Sequence, residues 1–183
     1  MRLFVAFDVP GPQKDSVEQA IRPLRAELPG ARWTSREGWH VTLKFLGEVA
    51  DDRLEEVRSI VSRCVARGGP VATALTDIGA FPNLRQPRVL WAGLGDERRR
   101  LEFLAARMEK KFGAAGFRQE TRRLHPHLTL ARFRSPYGPA PAVETNRPYS
   151  LDRTAFEVGE VILFRSRLSP KGASYEALDR FAL

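Results

Sequence analysis

The chain has 183 residues, 43% of them apolar and 28% charged, with 30 Lys and Arg against 22 Asp and Glu for a net charge of +8. That is enough for one sizeable domain or two small lobes sharing a core, in a composition ordinary for a soluble globular protein. A lone cysteine, Cys64, excludes an internal disulfide, no apolar run approaches the ~20 residues of a membrane-spanning helix, and the brief apolar start meeting Asp8 and Pro10 is unlike a secretory signal. A cytoplasmic protein is therefore expected.

Residues 3–9 form a short apolar run closed by Pro10-Gly11-Pro12, read as a buried strand and a turn. Over residues 14–28, Val17, Ala20, Ile21, Leu24 and Leu28 recur at helical spacing. Pro23 is expected to kink or split that helix, and Pro29-Gly30 to stop it. Residues 32–47 carry Trp33, Trp39 and a strand, with Gly38 allowing a bend ahead of it. Asp51 or Asp52 is placed to cap a second helix whose stripe is Leu54, Val57, Ile60, Val61, Cys64 and Val65. Residues 71–79 and 88–94 read as strands. Asp96 is placed to cap a third helix with Leu101, Leu104, Ala105, Met108 and Phe112 on one face. Residues 135–149 are Pro-rich and aperiodic, a surface loop or flap. A strand over residues 156–168, a turn at Pro170-Lys171-Gly172 and a last strand over residues 175–183 complete the chain.

Two of these strands share a head. His40-Val41-Thr42-Leu43 and His127-Leu128-Thr129-Leu130 both read His-x-Thr-Leu, and they use two of the three histidines in the chain. Polar and apolar residues alternate in each, the period of a half-buried strand. His40 and Thr42 therefore share one face while Val41, Leu43 and Phe45 point into a core; His127 and Thr129 repeat the arrangement. The motifs lie about half a chain apart, and each follows a helix and a loop. A duplicated α+β lobe accounts for that spacing.

Around the motifs stand Arg2-Leu3-Phe4-Val5-Ala6, Trp39 through Val49, Phe81-Pro82 with Pro87-Arg88-Val89-Leu90-Trp91, Pro126 through Arg132, and Ser166 through Gly172 with Tyr175 and Leu178. With these the sequence resembles the two-histidine (2H) phosphoesterase superfamily over nearly its whole length. Within it the resemblance is to the RNA 2′,3′-cyclic phosphodiesterases, once called 2′-5′ RNA ligases. Ala173 stands where that family often has Pro, a difference in a turn. The resemblance implies an α+β fold: two pseudo-symmetric lobes of antiparallel β-sheet, helices outside, and a central cleft carrying both motif strands. Residues 1–183 would form a single domain of two interleaved lobes. It also implies hydrolysis of a terminal 2′,3′-cyclic phosphate to a 2′-phosphate, with a weak, reversible, ATP-independent 2′-5′ ligation.

The chemistry suits the residues. Opening a cyclic phosphodiester needs a base for the attacking water, an acid for the departing oxygen, and donors for the phosphoryl oxygens. Attack and departure are in line, so two imidazoles facing each other across the phosphate satisfy the first two needs. With ordinary pKa values of about 6.5, one neutral and one charged imidazole can coexist near neutrality. The residues alone do not decide which does what; the resemblance makes His40 the proton donor and His127 the acceptor. Thr42 and Thr129 would bind the phosphate, as would Arg132, although strict alternation puts Arg132 on the wrong face unless the strand bends or ends before it. His125 has no such role and is read as a loop residue or one that supports the site from behind.

Phe7, Trp39 and Tyr137 could stack on a base, Trp39 being better suited to the core, and none is assigned to the site. No cluster with metal-ligand spacing and no P-loop is present, so neither a metal nor ATP is expected. The expected partner is RNA with 2′,3′-cyclic phosphate ends, tRNA fragments among the candidates, acted on by a monomer. Only five of the 30 basic residues are Lys, and the Arg forks suit a polyanion, though genome composition alone also yields such a bias. A phosphodiesterase of small cyclic nucleotides and a non-catalytic RNA-binding module are the alternatives.

Overall fold

The structure is a computed structural model and describes residues 1–96, 98–134, 151–169 and 172–183. The loop expected at residues 135–149, with Tyr137, and Pro170-Lys171 of the expected turn lie outside them. Ten strands and three α-helices are assigned among the described residues. In order they are β1 (Arg2–Asp8), α1 (Gly11–Glu27), β2 (Arg32–Trp33), β3 (His40–Glu48), α2 (Leu54–Val65), β4 (Val71–Thr73), β5 (Leu75–Phe81), β6 (Val89–Leu94), α3 (Arg100–Ala114), β7 (His127–Arg132), β8 (Phe156–Val158), β9 (Glu160–Ser169) and β10 (Gly172–Ala182).

The main sheet runs β10-β9-β1-β3-β7-β6-β5, with β2 added beside β7, and every pairing is antiparallel. Its two halves meet at β3 and β7 through one paired position, Val41 opposite Leu128. About that seam β1 corresponds to β6 and β9 to β5, which is the pseudo-symmetry the repeated motif implies. The three helices bury their stripes, among them Val17, Ile21 and Leu24, Val57, Ile60 and Val61, and Leu101, Met108 and Phe112, in one core with Leu3, Val5, Val41, Leu43, Leu128 and Leu130. Among the described residues the helices thus cover one face of the sheet and not the motif face.

Several local expectations change. The first helix starts at Gly11, not after Pro12, because proline at the first helical positions lacks only an N–H that would have no partner there. Pro23 does not split α1; both it and Gln19, whose carbonyl it leaves without an intrahelical donor, lie on the exposed side where water can reach. Asp51 and Asp52 do not cap α2. They sit in a 3-10 turn, Asp51–Arg53, that runs into it. Asp96 does serve α3, accepting the amides of Leu101 (3.2 Å) and Glu102 (2.9 Å) from further upstream than a usual cap. The single strand expected over residues 71–79 is two, β4 pairing with β8 in a separate small sheet, and the run over residues 156–168 is likewise broken at Gly159.

One polar side chain is deep in the core. Lys44 is 2% exposed and its Nζ donates to Glu109 Oε2 and to the Arg118 carbonyl, both at 2.7 Å. Glu109 Oε2 also accepts the Glu120 amide at 3.0 Å, so β3, α3 and the segment leading to β7 are tied at one point. A buried pair broken on one side leaves a charge without its partner. Glu109→Ala is therefore expected to cost ~3–5 kcal/mol in denaturant unfolding. The double change Lys44→Met, Glu109→Leu, which removes both charges, should cost less; equal losses would mean that the pair bears no buried-charge penalty.

Candidate active site

A β-bulge in each motif strand decides which side chains reach the open face. In β7, Thr129 pairs with Trp91 and Ala131 with Leu90, so Leu130 is an extra residue. Leu130 and Ala131 are consequently both buried, and Arg132 returns to the face of His127 and Thr129. The bend expected ahead of Arg132 is this bulge. In β3, Thr42 pairs with Ala6 and Lys44 with Val5, leaving Leu43 extra. Leu43 and Lys44 are both buried, and Phe45 turns outward, 47% exposed, beside His40 and Thr42. The expectation that Phe45 belongs to the core is thus wrong, since a one-residue bulge inverts the alternation beyond it. Phe45 occupies in the first half the position Arg132 holds in the second, and the Arg2 guanidinium lies 4.9 Å above its ring.

Extending the Val41–Leu128 register by one residue in each direction sets His40 opposite Thr129 and Thr42 opposite His127. The imidazoles are therefore diagonal across the seam, each with the other motif's threonine alongside. Each ring is fixed in the same way. His40 Nδ1 lies 2.8 Å from the Gly38 carbonyl, and His127 Nδ1 lies 2.8 Å from the His125 carbonyl. A carbonyl oxygen only accepts, so Nδ1 carries the proton in both rings and Nε2 is left for chemistry. His125 contributes through its backbone.

Aromatic rings box in both imidazoles. Phe4, Phe164 and Tyr175 surround His40 at centroid distances of 4.7, 5.8 and 4.8 Å. Phe81 lies edge-on to His127 at 5.1 Å, and Trp91 packs against His125 at 4.6 Å. A Cβ on Gly79 would meet the Trp91 ring at 2.4 Å, so only glycine lets that ring lie across the neighbouring strand. These boxes were not anticipated, because their members come from five strands scattered along the chain; the glycine inside a strand pattern was the available signal.

Burial in its box pushes the His40 pKa down to about 4, with Lys14 and Arg132 adding to the fall against the Gly38 hydrogen bond and Asp8. His127 is lowered as well, chiefly by burial, with the neighbouring His125 and Arg132 in the same direction. Both imidazoles are therefore neutral near pH 7 in the free protein, where the mixed state expected from ordinary values is disfavoured. Groups that could contact an anion stand beside the rings. Arg132 is exposed, without a carboxylate partner among the described residues, and close enough to both rings to disfavour their protonation. The Thr42 and Thr129 hydroxyls are half-buried and uncommitted among the described residues.

Thr34 is a further residue that sequence reasoning missed. Its Oγ1 lies 2.9 Å from both the Thr129 and Leu130 carbonyls and accepts from Trp39 Nε1 at 2.9 Å, while its amide donates to the Leu130 carbonyl. It holds the bulge that aims Arg132. Trp39 and Phe7 are each 1% exposed and cannot stack on a base. Among the described residues no group of three or more His, Cys, Asp and Glu side chains converges, and no helix is long and apolar enough to cross a membrane.

Two stretches, residues 8–91 and 94–175, each match the family described as LigT like Phosphoesterase, one motif strand per match. The chain belongs to this family. Among LigT-like relatives, an RNA 2′,3′-cyclic phosphodiesterase of Archaeoglobus fulgidus is 35% identical over 185 residues, 99% of each chain. One of Thermus thermophilus is 33% identical over 190 residues, covering 100% of this chain and 90% of that protein. The crystal structure of E. coli LigT complexed with 3′-AMP superimposes with a TM-score of 0.80 at 28% identity, covering 100% of this chain and 97% of the other.

The depressed histidine has a consequence for stability. An unfolded imidazole titrates near 6.5, His40 in the fold near 4, so the unfolded chain binds more protons between those values. The contribution is complete above pH 6.5 and is lost as pH falls towards 4. Replacing His40 with Gln should remove it: relative to pH 7, the wild type should lose on the order of 1–2 kcal/mol more than the variant at pH 5. Parallel urea-unfolding profiles for the two proteins would contradict the buried neutral ring.

Proposed function

We propose that this protein hydrolyses the 2′,3′-cyclic phosphate at the end of an RNA chain to a 2′-phosphate, by general acid and base catalysis from His40 and His127. The observation that carries the reading is the pair of diagonal imidazoles, each with Nδ1–H committed to a carbonyl two residues back and Nε2 free. A module that only bound RNA would not require that arrangement. The names of the relatives favour the cyclic end as substrate.

In the reaction His127 Nε2 takes a proton from water as the water oxygen attacks phosphorus. The bond from phosphorus to O3′ breaks on the opposite side, and His40 Nε2 gives O3′ its proton. Thr42, Thr129 and the Arg132 fork hold the non-bridging oxygens as charge grows on them. His40 obtains its proton along with the substrate, because a phosphate anion between the rings favours the charged form. Electrostatics of the free protein alone would charge His127 first, since His40 is depressed further; the resemblance to the family assigns the acid role to His40, and the bound anion has to reverse the order. With an RNA 5′-hydroxyl in place of water the same steps make a 2′-5′ linkage, and run backwards they cleave one. We take residues 1–183 as one domain of two interleaved lobes, acting as a cytoplasmic monomer on RNA ends, tRNA fragments included.

His40→Ala or His127→Ala should each lower kcat by roughly 10²–10⁴ on a dinucleotide with a cyclic phosphate end, with folding retained. Turnover near wild type in either variant would sink the two-histidine mechanism. The pH profiles should differ in position. The kcat/KM bell reports the free protein, where both rings are depressed, and should centre below pH 6.5. The kcat bell reports the complex, where the phosphate raises both, and should centre at higher pH. Coincident bells would mean that the anion does not set the protonation.

A further inference from the structure

Arg132 does not stand alone at its end of the cleft. β2 runs beside the end of β7, with Arg32 paired to Arg132 and Trp33 to Ala131. Residues directly opposite in an antiparallel pair share a face, so Arg32 joins Arg132 on the motif face while Trp33 packs against the core. Thr34 continues the pairing, its amide donating to the Leu130 carbonyl at 2.9 Å. Both arginines are exposed, and neither has a carboxylate partner among the described residues. The carboxylate beside His40, Asp8, is taken by Lys14 at 2.6 Å and by the Val9 amide at 2.9 Å. Arg36, farther along the same segment, has Asp15 at 2.7 Å and Glu18 at 3.4 Å. Like charges directly opposite across a strand pair destabilise it, so the Arg32–Arg132 pair is unfavourable until anions engage the two forks.

We propose that Arg32 binds a second phosphate, the one on O5′ of the nucleoside whose cyclic end is opened. The assignment rests on the function proposed above, with His40 as acid. A cyclic phosphodiester has two non-bridging oxygens, and in that mechanism Thr42, Thr129 and the Arg132 fork already supply their donors. Arg32 is therefore surplus to the scissile group. Arg132 lies beyond Thr129, the residue set opposite His40, so the two arginines mark the His40 end of the cleft. O3′ departs towards His40, which places the ribose that carries it at this same end. The next phosphate of the strand hangs from O5′ of that ribose, and Arg32 stands one strand spacing, about 4.8 Å, to the side of Arg132. A planar guanidinium without a carboxylate is suited to such a group. The site thereby selects an RNA end over a cyclic nucleotide with a bare 5′-hydroxyl.

The test measures kcat and KM of the wild type and Arg32→Gln on substrates sharing one 2′,3′-cyclic phosphate end: a mononucleotide with a 5′-hydroxyl, the same with a 5′-phosphate, and a dinucleotide. The wild type should favour the dinucleotide over the bare mononucleotide roughly tenfold or more in kcat/KM, chiefly through KM. The 5′-phosphorylated mononucleotide shows whether a terminal monoester serves as well as the internucleotide diester. Arg32→Gln should reduce the preference to within about twofold. Salt gives a second readout: log KM should rise with log salt more steeply for the dinucleotide, by about 0.7 for its one extra phosphate, and the variant should lose that difference. A dinucleotide with an uncharged methylphosphonate linkage, tried on the wild type alone, should do no better than the bare mononucleotide. Equal losses by Arg32→Gln on every substrate would put Arg32 on the scissile phosphate or behind Arg132, and overturn the assignment. So would a wild type without the preference, a variant that keeps it, or an uncharged linkage that preserves it. A wild type that opens no cyclic end would instead remove the proposed function on which the assignment depends.

Discussion

One paired position, Val41 opposite Leu128, joins the two motif strands directly, and the site follows from how little pairing there is between them. A fully paired seam would close the face between the motif strands. With ladder pairing confined to one place, the strands are free of each other's hydrogen bonds on either side, yet the register at that pair still fixes which residues are diagonal. Both members are fully buried, so the contact is held from below by the core and not by the site. The imidazoles, one residue away on each strand, inherit a fixed relation while carrying no structural load across the seam.

Each half then repeats the same three devices: a bulge after the threonine, a carbonyl that takes Nδ1–H, and aromatic rings around the imidazole. Together they produce two neutral imidazoles whose Nδ1 is committed to a backbone carbonyl. Keeping both neutral has a physical advantage in an Arg-rich protein. Two charged imidazoles beside Arg132 would repel one another, and the desolvated boxes remove that cost until an anion arrives to balance it. In the proposed reaction, binding of the phosphate and protonation of an imidazole are thereby coupled.

How much of this could be read from the sequence divides along a physical line. The His-x-Thr heads, the core stripes of all three helices and most strands were legible because they depend on local period. Arg132 was legible only as a residue that alternation misplaced, with the family resemblance arguing for it. The bulges at Leu43 and Leu130 could not be read, because an extra residue is defined by the partner strand and leaves no mark on its own period. Phe45 was misread for that reason. Thr34 and the aromatic boxes were missed because they act between segments far apart in the chain, and the breaks at Ala74 and Gly159 because a small second sheet draws off β4 and β8.

The duplication is also where the two halves must differ. A site symmetric in every respect would treat attack and departure alike, and could not prefer one direction on a substrate whose two ends are unlike. Here the bulge delivers a guanidinium in one half and, at the equivalent place, a phenyl ring under Arg2 in the other. Lys44 is buried where its counterpart is Ala131, and it draws the segment before β7 against α3. The shared devices give two equivalent imidazoles. It is these unshared residues, not the motifs, that make the two sides of the cleft chemically unlike.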